Sequence, residues 1–339
     1  MDSGSERVKS APLALPAAWP AGMLTGILAG LGAGAFWGMT FVAPLMVSGF
    51  DSVDYTVGRF LACALFSLML LAARPLAGLF QAGQPGQGRR LSGWHLPTPR
   101  QALAALGLSV LGYTGYYLLL VLAIQDAGAA VPVLIIGTIP LWVMVLGKPQ
   151  GVRWGALLPG LLLTGLGLLL MLQTTGHTGA TADSPVLGGS LWRGVLYALA
   201  AMVSWTAFSL LNAAWLRRHP EVNSTDWANW LGVAAGLGAL LLWASWGTGW
   251  TALSERAGFA SFLLVCVVSG IGSAWVAAVL WNMASRRLSP SLAGQLIVSE
   301  TVFGLLYAFA WDGAWPAALQ LLACALFVLG ILASIRAHR

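Results

Sequence analysis

Residues 258–284 read GFASFLLVCVVSGIGSAWVAAVLWNMA, a run that contains no Asp, Glu, Lys or Arg. An α-helix rises about 1.5 Å per residue, so about 20 apolar residues cross the hydrocarbon core of a bilayer, which is about 30 Å thick. Lipid offers no partner to backbone polar groups, and only helices and closed barrels satisfy these groups internally. The run lacks the polar and apolar alternation of a barrel strand, and it therefore predicts a membrane-spanning helix.

Apolar runs of similar length recur along the rest of the chain. They cover residues 23–47, 55–73, 101–124, 128–146, 154–172, 191–216, 226–246, 291–311 and 315–335. Only 8% of all residues are charged, against about a quarter in soluble proteins, which excludes a water-soluble fold. The 42 Gly and 17 Trp are typical of helical membrane proteins. We therefore predict an all-α integral membrane protein with ten transmembrane helices.

Positive charge is confined almost entirely to one set of alternate loops and tails. That set holds Arg7, Lys9, Arg74, Arg89, Arg90, Arg100, Lys148, Arg153, Arg217, Arg218, Arg286, Arg287, Arg336 and Arg339, and the other set holds only Arg193 and Arg256. Short cytoplasmic loops are enriched in Lys and Arg. Both termini are therefore predicted to face the cytoplasm, and the opposite face carries Asp51, Asp54, Asp126, Asp183, Glu255 and Asp312.

The sequence lacks the residue patterns that metal, haem and enzyme active sites require. The cysteines lie in apolar runs without metal-ligand spacing, at Cys63, Cys266 and Cys324. The histidines lie in loops or at the C-terminus, at His95, His177, His219 and His338. No metal, haem or other cofactor is predicted, and basic residues scattered over short loops argue against a nucleic-acid partner. Because no His–acid pair or paired carboxylates accompany the runs, we predict that the protein is not an enzyme.

A Gly/Thr/Ser-rich segment, residues 174–190, divides the chain almost in half. We predict a cytoplasmic tail at 1–22, a first five-helix repeat at 23–173, a flexible periplasmic linker at 174–190, a second repeat at 191–335 and a tail at 336–339. Five is an odd number, so the second repeat must insert upside down relative to the first. Carriers built from inverted repeats bind substrate near the midplane, where the halves meet.

Five short segments, in this order, carry a resemblance to a known family. They are WGMTFVAP at 37–44, GRF at 58–60, IIGTIP at 135–140, WNMAS at 281–285 and IVSET at 297–301. With them the chain resembles the EamA-type drug/metabolite transporters, and more closely their YtfF-like branch. The resemblance implies a carrier of the bacterial inner membrane, usually an exporter of amino acids, amines or other small metabolites. Two positions depart from many relatives, which have Glu where this chain has Lys148 and Pro where it has Thr301.

Two charged residues lie clearly inside predicted spans, away from the ends of the runs. Such groups cost about 2.5–3.5 kcal/mol or more in hydrocarbon, so they commonly have a role. Glu300 lies nine residues into the run at 291–311, roughly 14 Å deep. There it could exchange a proton or receive an ammonium group, or serve as a protonated packing residue. Arg59 lies four residues into the second run, about 6 Å deep. It could bind a carboxylate or phosphate, or reach the interface and pair with Asp51, Asp54 or Glu300.

Other candidates for the pathway are aromatic or polar residues inside the runs: Trp37, Trp205, Trp281, Asn282, Tyr116, Tyr117 and Tyr307. Indoles that line a cavity would attract apolar or cationic molecules through cation–π interaction. For each residue the alternative role is packing or hydrogen bonding between helices. The spacing of Gly26, Gly30 and Gly34 indicates close helix contact.

These features favour a secondary transporter that works by alternating access. We expect export of amino acids, amines or amphipathic cationic compounds, coupled to protons through Glu300. The partners are then a small-molecule substrate, protons and the lipid bilayer, with a homodimer as one assembly that the sequence leaves open. An uncoupled uniporter would not need Glu300, and a lipid scramblase or channel is a less favoured alternative.

Overall fold

The computed structural model describes residues 22–43, 45–47, 49–81, 96–127, 135–147, 152–175, 191–313 and 315–338. We number its α-helices α1 Met23–Gly38, α2 Ser52–Gln81, α3 Pro99–Ser109, α4 Gly115–Ala127, α5 Ile139–Leu146, α6 Trp154–Thr175, α7 Leu191–Arg218, α8 Ser224–Trp246, α9 Trp250–Ser254, α10 Phe259–Ser269, α11 Ala277–Arg287, α12 Pro290–Asp312 and α13 Ala318–Ala337. Within these ranges there is no β-strand.

The helices confirm an all-α membrane protein. Among the described residues, six stretches are long and apolar enough to cross a bilayer: Val53–Ala73, Pro99–Ala123, Trp192–Arg218, Ser224–Trp246, Phe259–Arg287 and Ala318–Ala337. Shorter apolar helices cover Met23–Gly38 and Trp154–Leu170. The first predicted span is broken, because α1 ends at Gly38 and two 3₁₀ turns follow, Met39–Phe41 and Leu45–Val47. Most of the predicted linker and of the N-terminal tail lies outside the described residues.

The two halves of the chain pack mainly against each other. The most extensive helix contacts are α2 with α8, α5 with α12, α6 with α13, α1 with α11 and α12, and α4 with α7. Glycines show the direction of each pair, because each lies against a particular residue of its neighbour. Gly232 of α8 faces Ser67 of α2, and Gly236 faces Ala64. The two helices therefore run antiparallel.

Two further helix pairs also run antiparallel. In α5 and α12, Gly294 faces Val143, while Gly147, directly after α5, faces Pro290. In α6 and α13 the facing pairs are Gly160 with Ser334 and Gly167 with Phe327. In both cases the residue number rises along one helix as it falls along the other, so these pairs also run antiparallel.

A stripe of glycines joins α1 to the end of α11 and to α12. Gly26 faces Leu288, Gly30 faces Leu296, Gly34 faces Ser299, and Gly38 faces Gly304. A Cβ atom at Gly38 would lie 2.8 Å from the Gly304 backbone nitrogen, so the backbones touch. The predicted packing role of Gly26, Gly30 and Gly34 is confirmed, and α1 and α12 run parallel.

In the described part of each half, a π-helical turn interrupts a long helix. Val110–Thr114 separates α3 from α4, and Gly270–Val276 separates α10 from α11. The N–H groups of Gly115 and Ala277 donate to carbonyls five residues earlier, at Val110 and Gly272. Such turns shift the side chains that follow and are frequent at functional sites.

Candidate functional site

Three tryptophans from both halves of the chain meet in one cluster. Trp37 of α1 lies 5.4 Å from Trp281 of α11 and 6.0 Å from Trp205 of α7, and the last two rings are 6.2 Å apart, measured between centroids. These are normal distances for interacting aromatic rings. Trp281 is buried, and the other two are half-buried. The structure thus joins three candidates, named the tryptophan cluster below, that the sequence could only place in separate spans.

A line of further rings extends from this cluster. Successive centroid distances are 6.1 Å from Trp205 to Phe208, 5.8 Å to Tyr113, 5.8 Å to Phe60 and 6.4 Å to Tyr117. Tyr117 is among the residues that the sequence predicts for the pathway, whereas Phe208, Tyr113 and Phe60 are not. The available signal was helical spacing, since Phe208 follows Trp205 by one turn.

Arg59 lies at the far end of this line of rings. Its guanidinium carbon is 5.2 Å from the centroid of Phe60, and Nη2 donates to the Ser273 hydroxyl at 3.2 Å. The residue is buried, with 8% of its surface exposed. Because α2 begins at Ser52, Arg59 lies seven residues, or about 10 Å, from the start of the helix. It therefore lies further from the start of its helix than the sequence predicted.

The two aspartates that could pair with Arg59 accept hydrogen bonds from backbone N–H groups instead. Asp51 accepts the backbone N–H of Val53, and Asp54 accepts that of Thr248, at 2.7 and 2.8 Å. Across the described part of the chain, no carboxylate oxygen lies within ion-pair distance of Arg59. The expected ion pair is therefore absent there, and the buried cation has a hydroxyl and an aromatic ring as its neighbours.

Glu300 lies in the middle of α12, ten residues after Pro290, or about 15 Å along the helix. Residues 291–299 before it are all buried, whereas Glu300 is only partly buried. Its carboxyl group is within electrostatic range of Arg59 and of Tyr116 on α4, and so it faces the interior of the bundle. It makes no hydrogen bond or ion pair with any residue that the structure describes.

Two candidates have structural partners instead. Asn282 accepts a hydrogen bond from Asn212 at 3.0 Å, and Asn212 accepts one from the Trp227 indole at 2.6 Å. Both asparagines are fully buried, and this network joins α7, α8 and α11. Tyr307 stacks on Phe303 of its own helix at 6.3 Å. The structure does not connect Tyr307 with the tryptophan cluster, and hydrogen bonding between helices accounts for Asn282.

Two clefts lie near the arginine-rich ends of α7 and α11. One has a volume of about 500 Å³ and is lined in part by Arg217, Leu288 and Pro290. The other has about 530 Å³ and includes Arg286 and Arg287. Neither cleft is lined by Glu300 or by the tryptophan cluster.

An ion pair links the halves where α4 ends and α7 begins. Arg193 donates to both oxygens of Asp126, at 2.8 and 2.9 Å. These hydrogen bonds hold the pKa of Asp126 below its ordinary value of 3.8. Because the pKa is depressed in the folded state, the pair stabilises the fold above pH 3.8 and is lost as the pH falls through the folded value. The Arg193 side chain is 56% exposed, so solvent screening keeps the effect small.

We therefore expect Asp126→Asn to lower the melting temperature of the purified protein slightly at pH 7. The difference from the parent should shrink as the pH falls further below 3.8, because the parent then progressively loses the same ion pair. Thermal unfolding measured over this pH range checks the expectation. Glu255→Gln, which changes an exposed acid, serves as the control. A difference that stays constant with pH would show that the ionised Asp126 is not its source.

The chain is similar to a known transporter family, to a bacterial inner membrane protein and to a protein of known structure. The family model of the EamA-like transporter family matches residues 24–172. The chain is 31% identical over 317 residues to the "Inner membrane protein YtfF" of Escherichia coli (strain K12), an alignment that covers 90% of this chain and 92% of that protein. A protein of known crystal structure has the same fold, with a TM-score of 0.66 and 21% identity over 94% of this chain and 99% of its own.

Proposed function

The chain belongs to the EamA-like transporter family, in its YtfF-like branch, and from this premise we propose that it carries small metabolites across the membrane by alternating access. One observation carries the proposal: Glu300, an interior carboxyl group that makes no hydrogen bond or ion pair with a described residue, lies in the same bundle as a tryptophan cluster built by both halves. An ionisable residue inside a membrane protein commonly marks a substrate or ion pathway. A site made by both halves changes shape when the halves move against each other.

We propose that ten spans form two inverted five-helix repeats, residues 23–173 and 191–335. In such a fold, helices five spans apart have opposite directions, so equivalent helices in contact must be antiparallel. The pairs α2 with α8, α5 with α12 and α6 with α13 all meet this requirement. The two π turns, each in the third helical stretch of its half, also support it. The family match to residues 24–172 covers almost the same range as the proposed first repeat.

We further propose that the substrates are amino acids, amines or amphipathic cations and that they are exported in exchange for protons. A cation is attracted by indole faces and by a carboxylate, and α1, which carries Trp37, packs along α12, which carries Glu300. A proton on Glu300 would neutralise the carboxylate and release the cation, which couples the two movements. The relative's description as an inner membrane protein supports a location in a bacterial inner membrane. The loop charges support cytoplasmic termini, and a homodimer stays a prediction.

Transport into proteoliposomes tests the proposed function directly. Radiolabelled amino acids, polyamines and cationic dyes would be offered with and without an imposed pH gradient. We expect at least one class to accumulate, and to do so more when the gradient is present. Flux that ignores the gradient would indicate a uniporter. Lipid flip or ion conductance without substrate transport would contradict the carrier and indicate a scramblase or channel.

The tryptophan cluster provides a separate prediction. Trp37→Ala is expected to weaken the binding of the cationic dye ethidium about tenfold, since a desolvated cation–π contact contributes about 1–2 kcal/mol. Fluorescence titration of the purified protein measures the affinity, and a melting curve checks that the variant is folded. Trp315→Ala is the matched control, because Trp315 is 94% exposed. Equal affinities for the two variants would remove the tryptophan cluster from the binding site.

A further inference from the structure

The guanidinium group of Arg59 is a buried charge that makes no ion pair with any residue the structure describes, although the Glu300 carboxyl group lies within electrostatic range of it. Of the Lys and Arg residues that the structure describes, it is the only one in the buried class. Its Nε atom is buried and has no acceptor, and Nη2 reaches only the Ser273 hydroxyl. By contrast Arg193, which is mostly exposed, has a carboxylate bound through two hydrogen bonds. Among the described residues, the buried arginine therefore lacks the directly bound carboxylate that the exposed one has.

Removing a charge from water costs several kcal/mol, and a buried ion pair offsets that cost only when its partner is well placed. One hydrogen bond to a hydroxyl and one aromatic ring at 5.2 Å offset only part of it. Ser273 cannot contribute a donor to a ligand, because its hydroxyl proton is already donated to the Ser269 carbonyl at 2.7 Å. The missing component is thus an acceptor with negative charge.

A second donor stands on the same face of α2. Tyr55 precedes Arg59 by four residues, a spacing that places the two side chains next to each other. Tyr55 is 2% exposed and lies within electrostatic range of Arg59. Its hydroxyl lies near Ser269 but meets normal hydrogen-bond geometry with no residue that the structure describes. Its polar neighbour Ser269 donates its own hydroxyl to the Cys266 carbonyl at 3.3 Å.

We propose that Arg59 and Tyr55 form a binding site for a small monovalent anion, either the carboxylate of the transported molecule or free chloride. The guanidinium and the phenol are both able to donate, as a carboxylate or halide requires. A divalent phosphate group would call for more positive charge than the single buried arginine supplies. The inference deepens the proposed carrier function by giving the substrate site an anion-binding end, separate from Glu300.

Anion-dependent thermal stability of the purified full chain tests the site. Sodium acetate or sodium chloride would be titrated at constant ionic strength against sodium methanesulfonate, whose anion is larger. We expect the melting temperature to rise and saturate with acetate. In the separate chloride titration, the temperature either rises equally or stays constant. Arg59→Met should lose the saturable rise completely, and Arg59→Lys should weaken the apparent affinity about tenfold, because it keeps the charge but loses the fork. Arg153→Met, which changes an exposed arginine, should behave as the parent.

The outcomes separate the two sources of the anion. A rise with acetate alone indicates the carboxylate of a substrate, and equal rises with both salts indicate a general anion site. Without added anion, Arg59→Met should melt above the parent, because it removes an uncompensated buried charge. If that variant fails to fold, Tyr55→Phe, which deletes one hydroxyl, is expected to weaken the acetate effect severalfold. No saturable rise in the parent, or the same rise in Arg59→Met or in Tyr55→Phe, would overturn the inference.

This binding measurement does not depend on transport, although the meaning of the site rests on the proposed function. Anion binding without any flux in proteoliposomes would contradict the carrier and leave the site intact. Flux without any anion effect would contradict the site alone.

Discussion

Glu300→Gln is expected to abolish transport driven by a pH gradient. Glutamine matches glutamate in size but cannot take up or release a proton, so the variant keeps the shape of the bundle and loses the coupling. Packing should change little, because the Glu300 carboxyl group makes no hydrogen bond or ion pair with a described residue. The measurement is radiolabelled substrate uptake into proteoliposomes with and without an imposed gradient. Gradient-driven uptake should fall to the level of protein-free vesicles.

A second acidic residue supplies the control for this experiment. Glu255 is exposed and follows the short helix α9, so Glu255→Gln should transport as the parent does. If Glu300→Gln retains gradient-driven uptake, the proton role of Glu300 is wrong. If parent and variant both transport at the same rate without regard to the gradient, the protein is a facilitator. Exchange of labelled against unlabelled substrate then shows whether the variant still binds it.

Gly38→Ala is expected to have the largest effect on stability. Its new methyl group would lie 2.8 Å from the backbone nitrogen of Gly304 and 3.0 Å from the backbone carbon of Phe303. A side chain can rotate away from such a contact, but backbone atoms of a packed helix cannot. Helices α1 and α12 must therefore separate, at a cost of about 1–3 kcal/mol, close to Glu300. We expect a lower melting temperature and reduced transport.

Gly107→Ala is the matched control for this substitution. Gly107 lies near the end of α3, and a methyl group there would meet nothing within 4 Å. Alanine favours a helix over glycine by up to about 1 kcal/mol, so this variant should melt at or slightly above the parent temperature. Equal loss of stability in both variants would show that the contact between α1 and α12 is not limiting.

The individual properties of residues were predictable from the sequence. Apolar runs long enough to cross a bilayer predicted the helices, since lipid leaves the backbone no other solution. The cost of a charge in hydrocarbon identified Glu300 and Arg59 without any knowledge of their neighbours. The four-residue spacing of Gly26, Gly30 and Gly34 predicted close packing. In the structure Leu288, Leu296 and Ser299 pack against these glycines.

The boundaries and the polar contacts were less predictable. The helix that carries Arg59 begins three residues earlier than the hydropathy of the run indicates, because Asp51 accepts the Val53 N–H at its start. The π turns have no distinct composition, so they could not be read from the chain. Asn282 appeared equally suited to a substrate path and to a helix contact, and only its hydrogen bond with Asn212 favours the second.

The sequence by itself determined that this chain forms helices that cross a bilayer and that an acid and an arginine lie within them. The free-energy costs of unpaired backbone groups and of charges in hydrocarbon belong to individual residues, so they can be read from the sequence. Only the tertiary structure decided that Trp37, Trp205 and Trp281 touch and that Arg59 lies beside a hydroxyl and a ring instead of a carboxylate. Those contacts join residues that are far apart in the chain. They depend on which helix faces fit together, and that fit is a property of the whole packed bundle.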